Sequence, residues 1–245
     1  MTLKSLFPAR PTEFTYTQTP VLERDAGILA HHRIIMGLLH DPHCDLFRIL
    51  RTRLLHQLRT QHWNSVAVTS PCAGTGKTMM AANLAIAMAL EGNQTVLLVD
   101  MDFRNPRLAR YLGLPPTAGL TDYLSGEVSL EQILFNPGIA GLVVIPGGKG
   151  GQYPPEWGAS RRLQDLIQEL KTRYESRVLL FDCPALLQDD RTRLFLPQVD
   201  GVLLVVEDGR HKPDELRHTL HLLEDTHLLG LVLNKGSGDD FPGII

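Results

Sequence analysis

Six short apolar runs punctuate the chain: Val66-Ala-Val68, Val96-Leu-Leu-Val99, Leu142-Val-Val-Ile145, Val178-Leu-Leu-Phe181, Val202-Leu-Leu-Val-Val206 and Leu228-Leu-Gly-Leu-Val-Leu233. They lack the polar alternation of a half-exposed strand, as strands covered on both faces in a parallel sheet do. The runs predict strands beginning at Ser65 and over Gln94 to Asp102, Leu142 to Ile145, Arg177 to Asp182, Gly201 to Val206 and Leu228 to Leu233. Between them the composition turns helical: Met79 to about Leu90, closed by Gly92 as a left-handed cap, then Arg161 to Tyr174 and Pro213 to Asp225. Shorter helices are expected at Pro106 to Leu112, Leu120 to Leu124 and Ser129 to Leu134. Strands and helices alternating at this length predict an α/β fold with a doubly wound, mostly parallel sheet and right-handed crossovers.

Ahead of the first strand the pattern changes. Residues up to about Leu29 are rich in Pro, Thr and charge without a sustained apolar period, and they read as a flexible or loosely docked lead-in. The expected division is an extension over residues 1–40, one domain over 41–236 and a short tail over 237–245. His40, His43 and Cys44 cluster like metal ligands, but a helix start explains them better, with Asp41 as N-cap, Pro42 at the first helical position and Asp45 in the first turn. That helix runs to about Leu58, with Leu46, Leu50, Leu54 and Leu58 on one stripe and Phe47 and Leu55 beside it. Asp45, Arg48 and Arg51 share its polar face, as a solvated surface or as a self-complementary contact between copies. Periodicity alone favours the solvated surface.

The first strand runs into Ser70-Pro-Cys-Ala-Gly-Thr-Gly-Lys-Thr78 and a helix follows, the context that a phosphate-binding loop requires. Gly74 and Gly76 let consecutive N–H groups turn inward, and the helix N-terminus adds partial positive charge. Lys77 would neutralise the β and γ phosphates, and Thr78 offers a hydroxyl to nucleotide-bound Mg²⁺. Pro71 stands where the pattern Gly-x-x-x-x-Gly-Lys-[Ser/Thr] has its first glycine, so the loop is a variant. A second strand ends in Asp100 and Asp102, which at spacing two point the same way, and a third ends in Asp182. Three such ends converging at one sheet edge make a site for Mg²⁺ and polyphosphate. Lys149, in the loop from Gly147 to Gly151, reads as an exposed lysine, and His218 and His221 as a solvent face.

Composition narrows this further. A chain of 245 residues, 43% hydrophobic and 21% charged, holds one substantial core. A net charge of −3 and a pI near 6.4 give no electrostatic case for nucleic acid. Cys44, Cys72 and Cys183 form no disulfide framework and fit a reducing cytoplasm. No run is apolar enough to span a bilayer and no secretion signal is visible, so membrane association is expected only through a partner. Cys72 and Cys183 read as small fillers, with redox control as the alternative.

These motifs resemble the cytoplasmic catalytic domain of the bacterial tyrosine kinases of capsule and exopolysaccharide biosynthesis, members of the deviant P-loop ATPase group. The likeness runs from about Ala30 to Gly236, through Asp45-Leu-Phe-Arg-Ile-Leu-Arg-Thr52, the phosphate loop, Leu97-Leu-Val-Asp-Met-Asp-Phe-Arg-Asn-Pro106, Gly119-Leu-Thr-Asp-Tyr-Leu124 and Phe181-Asp-Cys-Pro184. Its most specific part is Asp-x-Asp-x-Arg-x-Pro, which includes Arg104. The resemblance implies a P-loop phosphotransferase that uses ATP and Mg²⁺. Ala73, Gly74, Thr75, Gly76, Lys77 and Thr78, with Asn234 at the end of the last strand, would bind the nucleotide. Thr78, Asp100, Asp102 and Asp182 would hold the metal. Lys77, Asp100, Asp102 and Asp182 would form the catalytic set, with one of Asp100 and Asp102 activating a tyrosine hydroxyl. The resemblance also makes Asp45, Arg48 and Arg51 an oligomerisation motif. It implies a homo-oligomer working with an inner-membrane polysaccharide chain-length or export protein.

The sequence departs from that family in places. Ala73-Gly-Thr-Gly-Lys77 replaces Pro-Gly-Glu-Gly-Lys, and Asp182-Cys-Pro-Ala185 replaces Asp-[Thr/Ser]-Pro-Pro. No tyrosine follows Tyr174, which removes a C-terminal tyrosine cluster as the expected acceptor and leaves Tyr16 as the nominated substrate in trans. The alternative is a regulatory ATPase of the partition and division type, whose nucleotide state controls partner assembly. Those ATPases carry a signature lysine where this chain has Cys72, and division-site members add an amphipathic membrane helix; this sequence has neither.

Overall fold

The computed structural model describes residues 19–22, 25–37, 43–151, 153–173 and 176–236. Tyr16, His40, Asp41, Pro42, Tyr174 and the 237–245 tail lie outside them. Among the described residues six strands form one sheet: β1 (Ser65–Thr69), β2 (Thr95–Asp100), β3 (Leu142–Ile145), β4 (Arg177–Asp182), β5 (Gly201–Glu207) and β6 (Leu228–Asn234). Their order is β3-β2-β4-β1-β5-β6 and every pairing is parallel. Successive side chains of a strand leave on opposite faces, which produces two cores. Val66, Val68, Val96, Leu98, Leu180 and Val205 belong to one; Ala67, Leu97, Val99, Leu179, Phe181 and Leu204 belong to the other.

The described residues also form eight α-helices, two before β1 and the rest between strands: α1 (Ala26–His31), α2 (Cys44–Gln61), α3 (Lys77–Glu91), α4 (Leu108–Tyr111), α5 (Leu120–Ser125), α6 (Arg161–Thr172), α7 (Asp190–Phe195) and α8 (Pro213–His221). α1 to α4 cover the first face, and α5 to α7 the second, so the sheet is doubly wound. Every residue of α3 from Met80 to Ala89 is buried, because its alanines let it lie between the sheet and α2 with no solvent face. Gly92, at φ +86°, closes it as expected.

Several boundaries differ from the sequence reading. α3 begins at Lys77 rather than Met79; of the short helices, α5 forms where expected, while the other two shrink to α4 and a 3-10 turn at Glu131–Ile133. α8 stops at His221, well before Asp225, and α7 was not foreseen. His43, not Asp41, holds the cap position of α2. Leu46 departs from its predicted stripe and is 47% exposed, beside Ile49 at 44%. An i, i+4 row drifts by about 40° per step at ~3.6 residues per turn, so Leu46 has rotated off the face on which Leu54 and Leu58 are buried. Part of the stretch expected as a flexible extension packs instead. Asp25 caps α1 through the N–H groups of Gly27 and Ile28, and Leu29, Ile34 and Met36 are buried in the first core. The buried Asn83 holds this segment down, its Oδ1 accepting from Met36 N at 3.0 Å and its Nδ2 donating to the Arg33 carbonyl at 2.9 Å.

Candidate functional site

β1, β2 and β4 end side by side at one sheet edge, the register pairing Val68 with Asp182 and Asp182 with Asp100. Beyond β1 the chain turns through Ser70 to Gly76. Gly76 sits at φ +95°, and a Cβ placed there would fall 2.3 Å from Asn234 Nδ2, so a side chain is excluded both by backbone conformation and by space. Gly76 is also the cap of α3, whose first-turn N–H groups have no partner within the helix and open onto the loop.

The loop is braced from outside. Asn234 Nδ2 donates to the Thr75 carbonyl at 2.7 Å, and Lys235 Nζ to the Gly74 carbonyl at 2.9 Å. Ala73 N–H donates to Gln188 Oε1 at 3.1 Å, and Ser70 Oγ to the Cys72 carbonyl at 2.8 Å. Glu207 pairs with both Lys235, at 3.1 Å, and Arg210, at 2.7 Å. Gln188, Glu207 and Arg210 carried no spacing signal. Lys235 was visible only as the neighbour of Asn234.

The floor of the site is acidic. Asp100 and Asp182 are both fully enclosed. Burial pushes the Asp100 carboxyl up to about 8, with the Asp182 charge adding to it. Burial likewise raises Asp182 to about 6, against the opposing Lys77 charge and the hydroxyl that Thr78 donates to it. The two carboxylates differ in what they bond. Asp100 Oδ1 accepts the Asp102 N–H at 3.0 Å, and its Oδ2 accepts those of Arg107 and Leu108, each at 3.0 Å. Asp182 Oδ1 is buried with no hydrogen-bond partner, as is Thr75 Oγ1. An unpartnered buried carboxylate oxygen, a second carboxylate beside it and the Thr78 hydroxyl form the all-oxygen donor set that a Mg²⁺-nucleotide satisfies. The residues therefore fit that group.

The structure corrects other expectations. β2 stops at Asp100, so Asp102 is not on the strand and does not share a side with Asp100 by alternation. It lies half-buried in the following turn, where its Oδ1 accepts the Asn105 N–H at 3.0 Å. Its charge still acts on both Asp100 and Asp182. Asn234 holds the phosphate loop through its Nδ2, which donates to the Thr75 carbonyl. Arg104 and Lys149 are exposed. Asp45 and Arg48 pair with each other at 2.5 Å, while Arg51 is half-buried and donates to the Ala87 carbonyl at 3.4 Å, so the three do not form one open row. Cys72 and Cys183 are free thiols, both raised chiefly by burial. His221 lies exposed beside Glu224. No helix among the described residues is long and apolar enough to cross a membrane.

Residues 66–241 match the family model of the CobQ/CobB/MinD/ParA nucleotide binding domain. EpsB of Ralstonia nicotianae, named for tyrosine-protein kinase activity, is 32% identical over 196 residues, 79% of this chain, and this chain spans only 26% of EpsB's length. The tyrosine-protein kinase YwqD of Bacillus subtilis is 30% identical over 190 residues, 77% of this chain and 79% of YwqD. The BceF tyrosine kinase domain aligns with a TM-score of 0.74 at 26% identity, covering 87% of this chain and 91% of BceF. The septum site-determining protein MinD of Pyrococcus horikoshii, solved with Mg-ADP, aligns with a TM-score of 0.57 at 26% identity over 69% of each chain. The chain thus belongs to the CobQ/CobB/MinD/ParA nucleotide-binding domains and, among them, to the bacterial tyrosine-protein kinase family.

Proposed function

We propose that this domain transfers a phosphoryl group from Mg-ATP to a tyrosine hydroxyl of another chain, in the machinery that builds and exports a surface polysaccharide. The observation that carries the reading is the pair of enclosed carboxylates, Asp100 and Asp182, at the mouth of a glycine-bent loop ending in Lys77 and Thr78. In this reading the first-turn N–H groups of α3 and Lys77 hold the phosphates, and Asp182 and Thr78 hold the cation. Bound Mg²⁺ would neutralise charge on the phosphates as the terminal group leaves. Asp102 is the base that takes the tyrosine proton: it accepts a single backbone N–H, whereas Asp100 is committed to three. Asp100 then acts through the turn it shapes. A homo-oligomer formed through α2 and a polysaccharide-export partner at the inner membrane complete the proposal, with the domain on the cytoplasmic side.

The likeness to MinD supports a second reading, an ATP-hydrolysing switch that controls assembly with its partner. One experiment separates the two. Purified domain is mixed with Mg-ATP and the cytoplasmic segment of the export partner, and phosphotyrosine and released phosphate are both followed. Labelled tyrosine that disappears in Lys77→Met and Asp102→Asn supports the kinase. ATP consumed without labelled tyrosine moves the conclusion to the switch.

A further inference from the structure

The turn after β5 and the start of α8 hold side chains for which the nucleotide site has no use. Cys72 in the phosphate loop meets His211 and Glu215 there, and one donor atom from each lies within 4.8 Å of the others. His211 is the telling member. Its side chain is 1% exposed, neither Nδ1 nor Nε2 has a hydrogen-bond partner, and Nδ1 comes no closer than 4.0 Å to Glu215 Oε2. A buried polar atom left unbonded bears the whole cost of its lost hydration, and buried polar groups in folded proteins nearly always have a partner. An imidazole enclosed with both nitrogens unmet among the described residues, facing a thiol and a carboxylate, has the chemistry of a metal ligand set.

We infer that Cys72, His211 and Glu215 bind a divalent cation of the zinc class, through sulfur, nitrogen and oxygen, with a fourth position left to solvent. The donor set selects the metal: Mg²⁺ takes oxygen ligands, whereas thiolate with imidazole suits Zn²⁺ and its neighbours in the first transition row. Metal–ligand bonds of about 2.0–2.3 Å put tetrahedral donors roughly 3.5 Å apart, a closure that small side-chain rotations can supply from the observed spacing. Glu215 is already oriented, since its Oε2 accepts the Lys212 N–H at 3.1 Å across the first turn of α8. Arg210, the nearest guanidinium in the turn, is paired with Glu207 at 2.7 Å. On binding, the S–H bond breaks, a sulfur–metal bond forms and the proton leaves to solvent. The cation would then join the phosphate loop to the β5–α8 turn. Arg210 of that turn already lies against the loop, 3.2 Å from the position of a Cβ on Gly74. The site shares no ligand with the Asp182 carboxylate.

Titration of the chelator-stripped full chain with Co²⁺ tests this. A single equivalent should give a thiolate-to-cobalt charge-transfer band with tetrahedral d–d bands. Zn²⁺ should bleach them and excess Mg²⁺ should not. Cys72→Ser should remove the charge-transfer band, and His211→Gln or Glu215→Gln should weaken binding by about a hundredfold, each variant checked for folding by circular dichroism. Cys44→Ser, Cys183→Ser and Asp182→Asn should keep the band. Absence of a charge-transfer band in the parent chain, its survival in Cys72→Ser, or its loss in Cys183→Ser overturns the inference.

Discussion

Replacing Asp182 with asparagine is expected to stabilise the nucleotide-free domain at alkaline pH while removing its response to Mg-ATP. The Asp182 carboxyl stands at about 6 in the folded chain against an ordinary 3.8. That is about two units at ~1.4 kcal/mol each, so the ionised group costs the folded state roughly 3 kcal/mol. A carboxyl raised by folding binds more protons folded than unfolded between those two values. Stability is therefore whole below the unfolded value and falls as pH rises toward the folded one. Asp182 supplies that fall up to about 6, and Asp100 extends it to about 8. Asparagine removes the first contribution and, by removing the Asp182 charge, shrinks the second. Urea unfolding from about pH 3 to 8.5 in chelator should give two stability curves that converge as pH falls below the ordinary carboxyl value of 3.8. At about pH 8 they should stand apart by roughly 3 kcal/mol in favour of the variant. Asp200 and Glu91, whose carboxyls are lowered, are present in both chains and cancel from the difference. Added Mg-ATP should then reverse the order, because only the parent binds it and gains by mass action. Parallel curves, or a variant less stable at pH 8, would refute the claim that Asp182 is a strained charge awaiting a cation.

Two further changes test the loop and the proposed assembly. Gly76→Ala forces an L residue to φ +95° and a Cβ to 2.3 Å from Asn234 Nδ2; unfolding should report a loss of about 1–3 kcal/mol, and nucleotide affinity should fall more than about tenfold, worth ~1.4 kcal/mol. The double variant with Asn234→Ala relieves the contact but not the backbone, so full recovery there would show that crowding alone mattered. Leu46→Asp with Ile49→Asp alters two exposed side chains flanking the Asp45–Arg48 pair, so unfolding stability should move by no more than about 0.5 kcal/mol each while sedimentation shifts from oligomer to monomer. An unchanged mass, or a monomeric parent chain, removes α2 as the interface.

The strands were legible in the sequence because both faces of each interior strand are covered, which leaves an uninterrupted apolar run. The phosphate loop was legible because its chemistry is carried by residue types that few other turns need together. What failed to show in the sequence depended on contacts between distant segments or between a side chain and the backbone. Val99-Asp-Met-Asp102 looks like a strand continuing, yet the Asp100 carboxylate captures the N–H groups of Asp102, Arg107 and Leu108 and turns the chain. The same capture shortens the helix expected from Pro106, since α4 begins only at Leu108. Leu29, Ile34 and Met36 carry too irregular a spacing to announce a helix, and they become core through Asn83, dozens of residues away. Gln188 reaches the phosphate loop, and Glu207 holds the Lys235 that does, only because β4 and β5 flank β1, a neighbourhood set by strand order.

Position at a strand end therefore does not assign a carboxylate its role; the groups already bonded to it do. Asp100 and Asp182 are register partners, equally enclosed, and each closes an apolar strand. Three backbone N–H groups fix Asp100 in place, so its work is to shape the turn that carries Asp102, even though burial and the Asp182 charge raise its carboxyl. Asp182 keeps an oxygen that nothing among the described residues satisfies, in a place where desolvation of the charge is expensive. A fold that needed only a filler there would be more stable with an uncharged residue of the same shape. Retaining an unmatched charge at the foot of a loop built from bent glycine and helix N–H groups makes sense when an outside cation matches it, as the proposed Mg-nucleotide would.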